Sequence, residues 1–316
     1  MVTKNIQPEV DVLTFTPSFS SFMEREIFNL STNKRLGTAK NYRSAKKSLH
    51  DFFNKDEILF SELTPQQISE YERWLEKKEL SRNTISFYMR ILRSVYNKAV
   101  EQQLASENFP FYNVYTGIDR TRKRAIDVNI IKQLQNLDLT KKPCLAYARD
   151  LFIFSFYTRG MAFIDMAFLK KREVREGRLQ YIRHKTGKTM SIKIEPCMQE
   201  IIKRYAYKTI QSKYLLPIIR PYKPKDEYTQ YQNALSYYNK QLKKLSKLLR
   251  LKTSLSSYVS RHTWATTARN KNIPLSVISA GMGHSSEVIT EIYLASLDTS
   301  LVDDANGKIL QEFLWR

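Results

Sequence analysis

The sequence is poor in cysteine, glycine and proline, and each shortage excludes a class of protein. Its 316 residues include only 2 Cys, 8 Gly and 10 Pro. Cys144 and Cys197 are too few for a disulfide framework or a metal-binding cluster, so a reducing cytoplasm suits the chain. The few glycines and prolines leave little sequence for long flexible segments. With 42% hydrophobic residues, a chain of this length is predicted to form two folded domains.

Long apolar runs and acidic residues are also scarce. No apolar segment approaches the roughly 18–20 residues of a membrane-spanning helix, and the polar stretch Met1–Asp11 lacks the apolar core of a signal peptide. Asp and Glu total 31 against 52 Lys and Arg, a net charge of +21. Such a positive excess favours a polyanionic partner. With a membrane excluded, the sequence indicates nucleic acid.

The first hundred residues have the periodicity of a small helical domain. Apolar residues recur at helical spacing in Phe19–Leu30 and in Thr38–Phe53. Two further helices are predicted to begin after capping residues, Thr64 and Ser81.

Basic side chains line the polar sides of the second and fourth of these helices. The residues concerned are Lys40, Arg43 and Lys47 on the second helix, and Arg82, Arg90 and Arg93 on the fourth. A single charged stripe is usually a solvated face. Two such stripes in one small domain of a basic protein predict contacts with DNA phosphates.

The remainder is predicted to be a basic linker, 105–127, and a mixed α/β domain, 128–301. The lapse of periodicity predicts the linker, and its run of positive charge indicates that it lies against DNA. A linker that is merely soluble explains both features nearly as well. Within the second domain, Leu145–Tyr157 is a helix apolar enough to be buried. Alternating apolar residues on both sides of Thr186–Gly187 predict a β-hairpin. The fold class is therefore mainly α with a small β-sheet.

Five residues in the second domain form a candidate catalytic set. They occur in the order Arg159, Lys185, Arg261, His284 and Tyr293. Four of them have an ordinary explanation when taken alone: Arg159 as a helix-end arginine, Lys185 as a turn lysine, His284 as a capping histidine and Tyr293 as a packed tyrosine. In this order, however, the set resembles the catalytic domain of the tyrosine recombinases, or phage integrases. The most specific part is Arg261 to Thr266, followed by Gly283-His284 and by Tyr293 nine residues later.

The resemblance implies a fold and a mechanism. A helical, SAM-like core-binding domain (1–104) precedes the catalytic domain (128–301). Tyr293 attacks a phosphodiester and leaves a 3′-phosphotyrosine and a free 5′-hydroxyl. Arg159 and Arg261 neutralise phosphate charge, and Lys185 protonates the leaving oxygen. The implied partners are double-stranded recombination sites, a homotetramer that passes through a Holliday junction, and accessory DNA-bending proteins, with no metal and no cofactor.

Two positions complicate the resemblance. Tyr258 stands where the family usually has histidine, and a phenol donates a hydrogen bond but does not accept a proton near neutral pH. Lys188 competes with Lys185 for the hairpin position, and the family pattern favours Lys185. Two alternatives are retained: a type IB topoisomerase, which shares the tyrosine chemistry, and a non-catalytic DNA-binding regulator of the same fold, which the tyrosine at position 258 supports.

The two ends of the sequence carry further expectations. The core-binding domain begins almost at the first residue, which leaves no room for an additional arm-binding domain and favours an invertase, a resolvase-like enzyme or a mobile-element recombinase. The tail, 302–316, has Ile309, Leu310 and Phe313 on one helical face. This segment either folds back on its own domain or docks on a neighbouring protomer.

Overall fold

Residues 18–119, 124–220 and 224–291, together with 294, 306 and 310, are described by the computed structural model. The chain divides into two compact units, Met1–Thr121 and Arg122–Arg316. Tyr293 and nearly all of the tail lie outside the described residues, as does most of the basic run of the predicted linker. None of the described helices is both long and apolar enough to cross a membrane.

The first unit is a bundle of helices with caps that the sequence predicts. Its helices are α1 (Phe19–Thr32), α2 (Leu36–Phe53), α3 (Pro65–Lys77) and α4 (Arg82–Glu101). The side chain of Thr64 accepts from the backbone N–H of Gln67, and that of Ser81 accepts from Thr84. Both bonds satisfy an amide that has no partner within its helix.

The core of this unit is aliphatic and aromatic. Its fully buried large side chains include Phe19, Phe22, Met23, Leu49, Tyr71 and Tyr96. The predicted apolar faces of the helices therefore meet in one core.

The segment after α4 packs against the first unit, although the sequence assigns it to a linker. Phe111 is 4% exposed and Val114 is 8% exposed, and both belong to the same core. Ser86 on α4 donates to the carbonyl of Gly117 at 2.5 Å. The compact unit therefore extends to Thr121, beyond the predicted boundary at 104. An irregular segment buries isolated side chains without any periodicity, and for that reason the pattern misses it.

The second unit combines helices with a small sheet, so the predicted fold class is confirmed. Its elements in chain order are α5 (Val128–Asn136), α6 (Pro143–Tyr157), α7 (Phe163–Phe168), β1 (Val174–Arg175), β2 (Arg178–Ile182), β3 (Thr189–Lys193), α8 (Pro196–Tyr205), α9 (Glu227–Leu248), α10 (Val259–Asn270), α11 (Leu275–Met282) and α12 (Glu287–Glu291). The strands are antiparallel in the order β1-β2-β3. The predicted hairpin is β2–β3, and the two-residue strand β1 is too short to show alternation.

Helix α6 is the centre of this unit. It packs against α5, α8, α9 and α10, and Leu151–Ser155 is buried on every side. One face of the hairpin, with Leu179 and Ile192, joins the same core. The turn after α6, the hairpin turn and the first turn of α10 are therefore anchored to one packed body.

Candidate active site

Arg261 is the most highly connected of the predicted catalytic residues. It lies in the first turn of α10 and is 4% exposed. Its Nη1 donates to the carbonyl of Gly160 at 2.7 Å, and its Nη2 donates to the carbonyl of Met282 at 2.7 Å. The same Nη2 is 2.8 Å from Nε2 of His284. One guanidinium thus connects the turn after α6, the end of α11 and His284.

Gly160 permits the close approach between the turn after α6 and Arg261. Its φ is +72°, and a Cβ added there would lie 2.7 Å from Cα of Arg261. A larger residue would therefore meet both backbone strain and a backbone clash. This contact explains the glycine at position 160.

Arg159 enters the same region from the turn after α6. Its backbone is left-handed, with a φ of +60°, which is uncommon for a residue that is not glycine. Its Cδ would lie 3.7 Å from a Cβ added to Gly281. The structure therefore brings Arg159 and Arg261 towards the same segment, 281–284.

His284 follows a left-handed turn that ends α11. Gly283 has a φ of +66°, and a Cβ there would lie 2.5 Å from Sδ of Met190. Because arginine can only donate, Nε2 of His284 must accept from Arg261, and Nδ1 carries the proton. That Nδ1 donates to Oγ1 of Thr290 at 2.8 Å. Thr290, on α12, is fully buried.

The electrostatic surroundings keep His284 neutral. Burial, followed by the positive charges of Arg261, Arg183, Lys185 and Lys188 in that order, lowers the pKa of His284 to about 3. At neutral pH the imidazole is therefore uncharged, and it accepts a hydrogen bond from Arg261.

The hairpin turn brings both candidate lysines to the vicinity of His284. Nζ of Lys188 is 3.3 Å from the carbonyl of His284. Lys185 is exposed at the turn, and its charge contributes to the lowered pKa of His284. This contact holds Lys188 beside His284, and the assignment of proton transfer to Lys185 stays a prediction.

Tyr258 lies directly before α10, as its N-cap residue, and is 49% exposed. With Arg261, Ala162 and Ser257 it lines a cleft of about 60 Å³. The tyrosine that replaces the family's histidine is therefore next to the central arginine and open to solvent on one side.

Sequence reasoning missed several buried partners of this site. Asp165 is 2% exposed and accepts from the backbone N–H of His184 at 2.9 Å. Arg183 is 5% exposed and donates to the carbonyl of Gly283 at 2.6 Å. These contacts join residues that are 19 and 100 positions apart, so no local spacing could reveal them.

The predicted DNA-contacting residues belong to the first unit. Lys40, Arg43 and Lys47 are exposed along α2. On α4, Arg82 and Arg93 are exposed, whereas Arg90 is half-buried. Arg82 packs over the ring of Tyr115 at 3.9 Å, and Nη1 of Arg93 donates to Thr116 at 3.3 Å. The α4 stripe therefore has intramolecular partners as well.

A further basic stripe occurs on α9 in the second unit. It consists of exposed lysines at helical spacing, namely Lys240, Lys243, Lys244 and Lys247. Their i, i+3, i+4 and i+7 spacing is visible in the sequence and was not used in the prediction.

No group of three or more His, Cys, Asp or Glu side chains arranged to hold a metal ion occurs in the part of the chain that the structure describes. Tyr293, the predicted nucleophile, lies outside that part. What the structure brings together is two arginines, the histidine and the lysine-bearing turn. Guanidinium and ammonium groups concentrated in this way suit the binding of a phosphate that gains negative charge during a reaction.

Comparisons with known proteins agree with this arrangement. A model of the phage integrase SAM-like domain matches residues 18–114, and a model of the phage integrase family matches residues 128–300. No curated protein matches the sequence.

Solved structures of integrases share the fold. A lambda integrase (75–356) dimer bound to a COC′ core site has a TM-score of 0.65 at 16% identity, over 86% of this chain and 94% of that chain. The Tn1549 transposon integrase in complex with transposon right end DNA has a TM-score of 0.65 at 13% identity, over 93% and 99%. A lambda integrase tetramer bound to a Holliday junction has a TM-score of 0.64 at 13% identity, over 89% and 78%. At these identities the likeness shows the fold alone.

Proposed function

The chain belongs to the phage integrase family, and from this membership we propose that it is a site-specific DNA recombinase. The observation that carries the proposal is the contact of Arg261 with both Gly160 and His284. It assembles sequence elements more than 100 residues apart into one positively charged site. The reaction is integration, excision or inversion of DNA, at sites recognised on duplex DNA in the cytoplasm.

The chemical step needs a nucleophile, charge neutralisation and an acid. In the proposed reaction the hydroxyl oxygen of Tyr293 forms a bond to phosphorus and gives up its proton to solvent water, while the bond from phosphorus to the 5′-oxygen breaks. Arg159 and Arg261 bind the non-bridging oxygens, whose charge grows in the transition state. Lys185 gives a proton to the 5′-oxygen. The phosphotyrosine preserves the energy of the broken bond, so rejoining needs no cofactor.

Positive charge on both units supports a DNA substrate. The α2 and α4 stripes lie on the first unit, and the α9 stripe lies on the second. We expect these lysines and arginines to contact phosphates and to make binding strongly dependent on salt. A homotetramer on paired sites, with accessory DNA-bending proteins, is the proposed assembly. Docking of the 302–316 tail on a neighbouring protomer is proposed as one of its contacts.

A pool of nicked duplexes tests the proposal without a known target site. Each duplex carries random sequence around a nick, so that the short strand diffuses away after cleavage and the phosphotyrosine cannot be resealed. The parental protein is expected to form an adduct that survives denaturant and to enrich particular sequences. Tyr293→Phe is expected to form none while it retains DNA binding. Tyr207→Phe, an exposed tyrosine of the same unit, is the matched control and is expected to behave as the parent.

The other outcomes separate the alternatives. Adducts without enrichment of any sequence would indicate a topoisomerase-like enzyme. DNA binding without an adduct would indicate a non-catalytic regulator. An adduct that persists in Tyr293→Phe would move the nucleophile to another tyrosine.

A further inference from the structure

Arg183 connects the hairpin turn to the turn that carries His284. It directly follows β2 and is 5% exposed. Its Nη1 donates to the carbonyl of Gly283 at 2.6 Å. Its backbone N–H donates to the carbonyl of Lys188 at 2.9 Å, and its own carbonyl accepts from Gly187 at 2.9 Å. The same residue therefore closes the hairpin turn and fixes its distance from Gly283.

The packing around Arg183 leaves little freedom in that distance. A Cβ on Gly283 would lie only 2.9 Å from Cδ of Arg183. Its Nε is 3.9 Å from Oδ2 of Asp165, a carboxylate that is 2% exposed. The other oxygen of Asp165 accepts from the backbone of His184 at 2.9 Å. Arg183 is thus held on three sides, by α7, by its own turn and by the end of α11.

Burying a guanidinium at this position is expensive for the stability of the fold. A buried ion pair commonly contributes less than an apolar replacement of similar size would. Its benefit must then lie elsewhere, and the two segments that Arg183 joins carry Lys185 and His284. Arginine suits the position because its planar fork reaches Gly283 and Asp165 in different directions, which an ammonium group cannot do.

We infer that Arg183 is a positioning residue, which sets the hairpin turn with Lys185 against the Gly283–His284 turn for strand cleavage. This role rests on the proposed recombinase function. Arg183 acts through Gly283 and His284 and is assigned no contact with DNA. Its positive charge also helps to keep His284 neutral, so that Nε2 can accept from Arg261.

Arg183→Met tests this role, because methionine keeps much of the volume and removes the fork. Single-turnover adduct formation on a selected nicked duplex is expected to fall by about tenfold to a hundredfold, since small misplacements of reacting groups have effects of this size. DNA affinity is expected to stay within about twofold. In protein with labelled histidine, the pKa of His284 followed by NMR is expected to rise. Arg183→Lys should keep that pKa low without restoring the full cleavage rate.

Arg149 provides a matched control in the same unit. Its Nη1 donates to the carbonyl of Leu137 at 2.7 Å, and its Nε pairs with Asp150 at 2.9 Å. Arg149 thus makes the same two kinds of contact as Arg183, a carbonyl and a carboxylate, but with residues other than those of the His284 turn. Arg149→Met is expected to lower the unfolding temperature without moving the His284 titration or the cleavage rate of folded protein.

The outcomes distinguish this inference from the function on which it rests. Parental cleavage together with full-rate cleavage by Arg183→Met overturns the positioning role and leaves the recombinase proposal intact. Equal losses of cleavage in the Arg183 and Arg149 variants, with an unchanged His284 titration, also overturn it, because they indicate general destabilisation. A parental protein that forms no adduct overturns both proposals.

Discussion

The two units differ in how many charged side chains they bury. In the described part of the first unit, Glu26 is the only buried charged side chain, and the core is aliphatic and aromatic. The second unit buries Asp150, Asp165, Arg183 and Arg261, along with His284. Burial of charge weakens a fold unless hydrogen bonds compensate for the lost hydration. The second unit is therefore the one in which a defined arrangement of side chains lowers the stability of the fold.

The position of these charges sharpens that conclusion. Asp165, Arg183, Arg261 and His284 converge on the turns that hold the candidate site, and their hydrogen bonds extend between α7, the hairpin, α10 and the end of α11. The first unit needs only shape and surface charge to contact a phosphate backbone. We therefore expect core substitutions in the first unit to change stability, and buried polar substitutions in the second unit to change the chemistry.

The largest contrast is expected between Arg261→Ala and Leu92→Ala. Arg261→Ala should slow adduct formation by at least about a hundredfold to a thousandfold, the effect of losing one well-placed donor in a charge-stabilising site. Leu92 is fully buried in the first unit, and its replacement should lower the free energy of unfolding by about 2–5 kcal/mol. Adduct formation per bound, folded molecule should be unchanged in Leu92→Ala. Denaturant unfolding and single-turnover kinetics measure the two effects separately.

The contrast would be contradicted if both variants lost adduct formation in proportion to their loss of stability. In that case the polar cluster of the second unit would be a structural core and not a reactive site.

A smaller effect is expected at Tyr258, at the edge of the cluster. If the phenol replaces histidine as a hydrogen-bond donor to phosphate, Tyr258→Phe should slow cleavage by about tenfold, the effect of one such bond. Tyr258→His should be tolerated, because the side chain is half-exposed and an imidazole is smaller than the phenol that it replaces. Single-turnover rates of the three proteins provide the measurement. A Phe variant that cleaves at the parental rate would show that this position takes no part in the reaction.

Patterns that repeat locally are predictable from the sequence. The caps at Thr64 and Ser81, the buried helix α6 and the hairpin all follow from periodicity or from capping chemistry. The ordered motif also selects segments that lie together in the structure, since Arg261 contacts His284 and Arg159 lies beside Gly281.

Contacts between distant segments are not predictable in the same way. The donation from Arg183 to Gly283 depends on how the hairpin packs against the end of α11, and nothing around position 183 records it. The packing of Phe111 and Val114 on the first core has the same origin, because two isolated apolar residues in an irregular segment have no period. These elements become visible only when the tertiary arrangement is known.

The smallest effect compares two basic residues within the first unit, Lys47 and Arg82. Lys47 is exposed on α2, and it forms no ion pair with any acidic residue within residues 18–119. Arg82 lies 3.6 Å from Asp119 and packs over Tyr115, so part of its charge is already compensated. Lys47→Gln is expected to weaken DNA binding equally on all sequences and to reduce the slope of log affinity against log salt by about one. Arg82→Gln should reduce that slope less, because a phosphate contact there competes with Asp119.

Binding titrations at several salt concentrations measure both slopes. Equal reductions would show that the contacts of Arg82 within the unit are given up on DNA, and an unchanged slope for Lys47→Gln would remove the α2 stripe from the DNA interface.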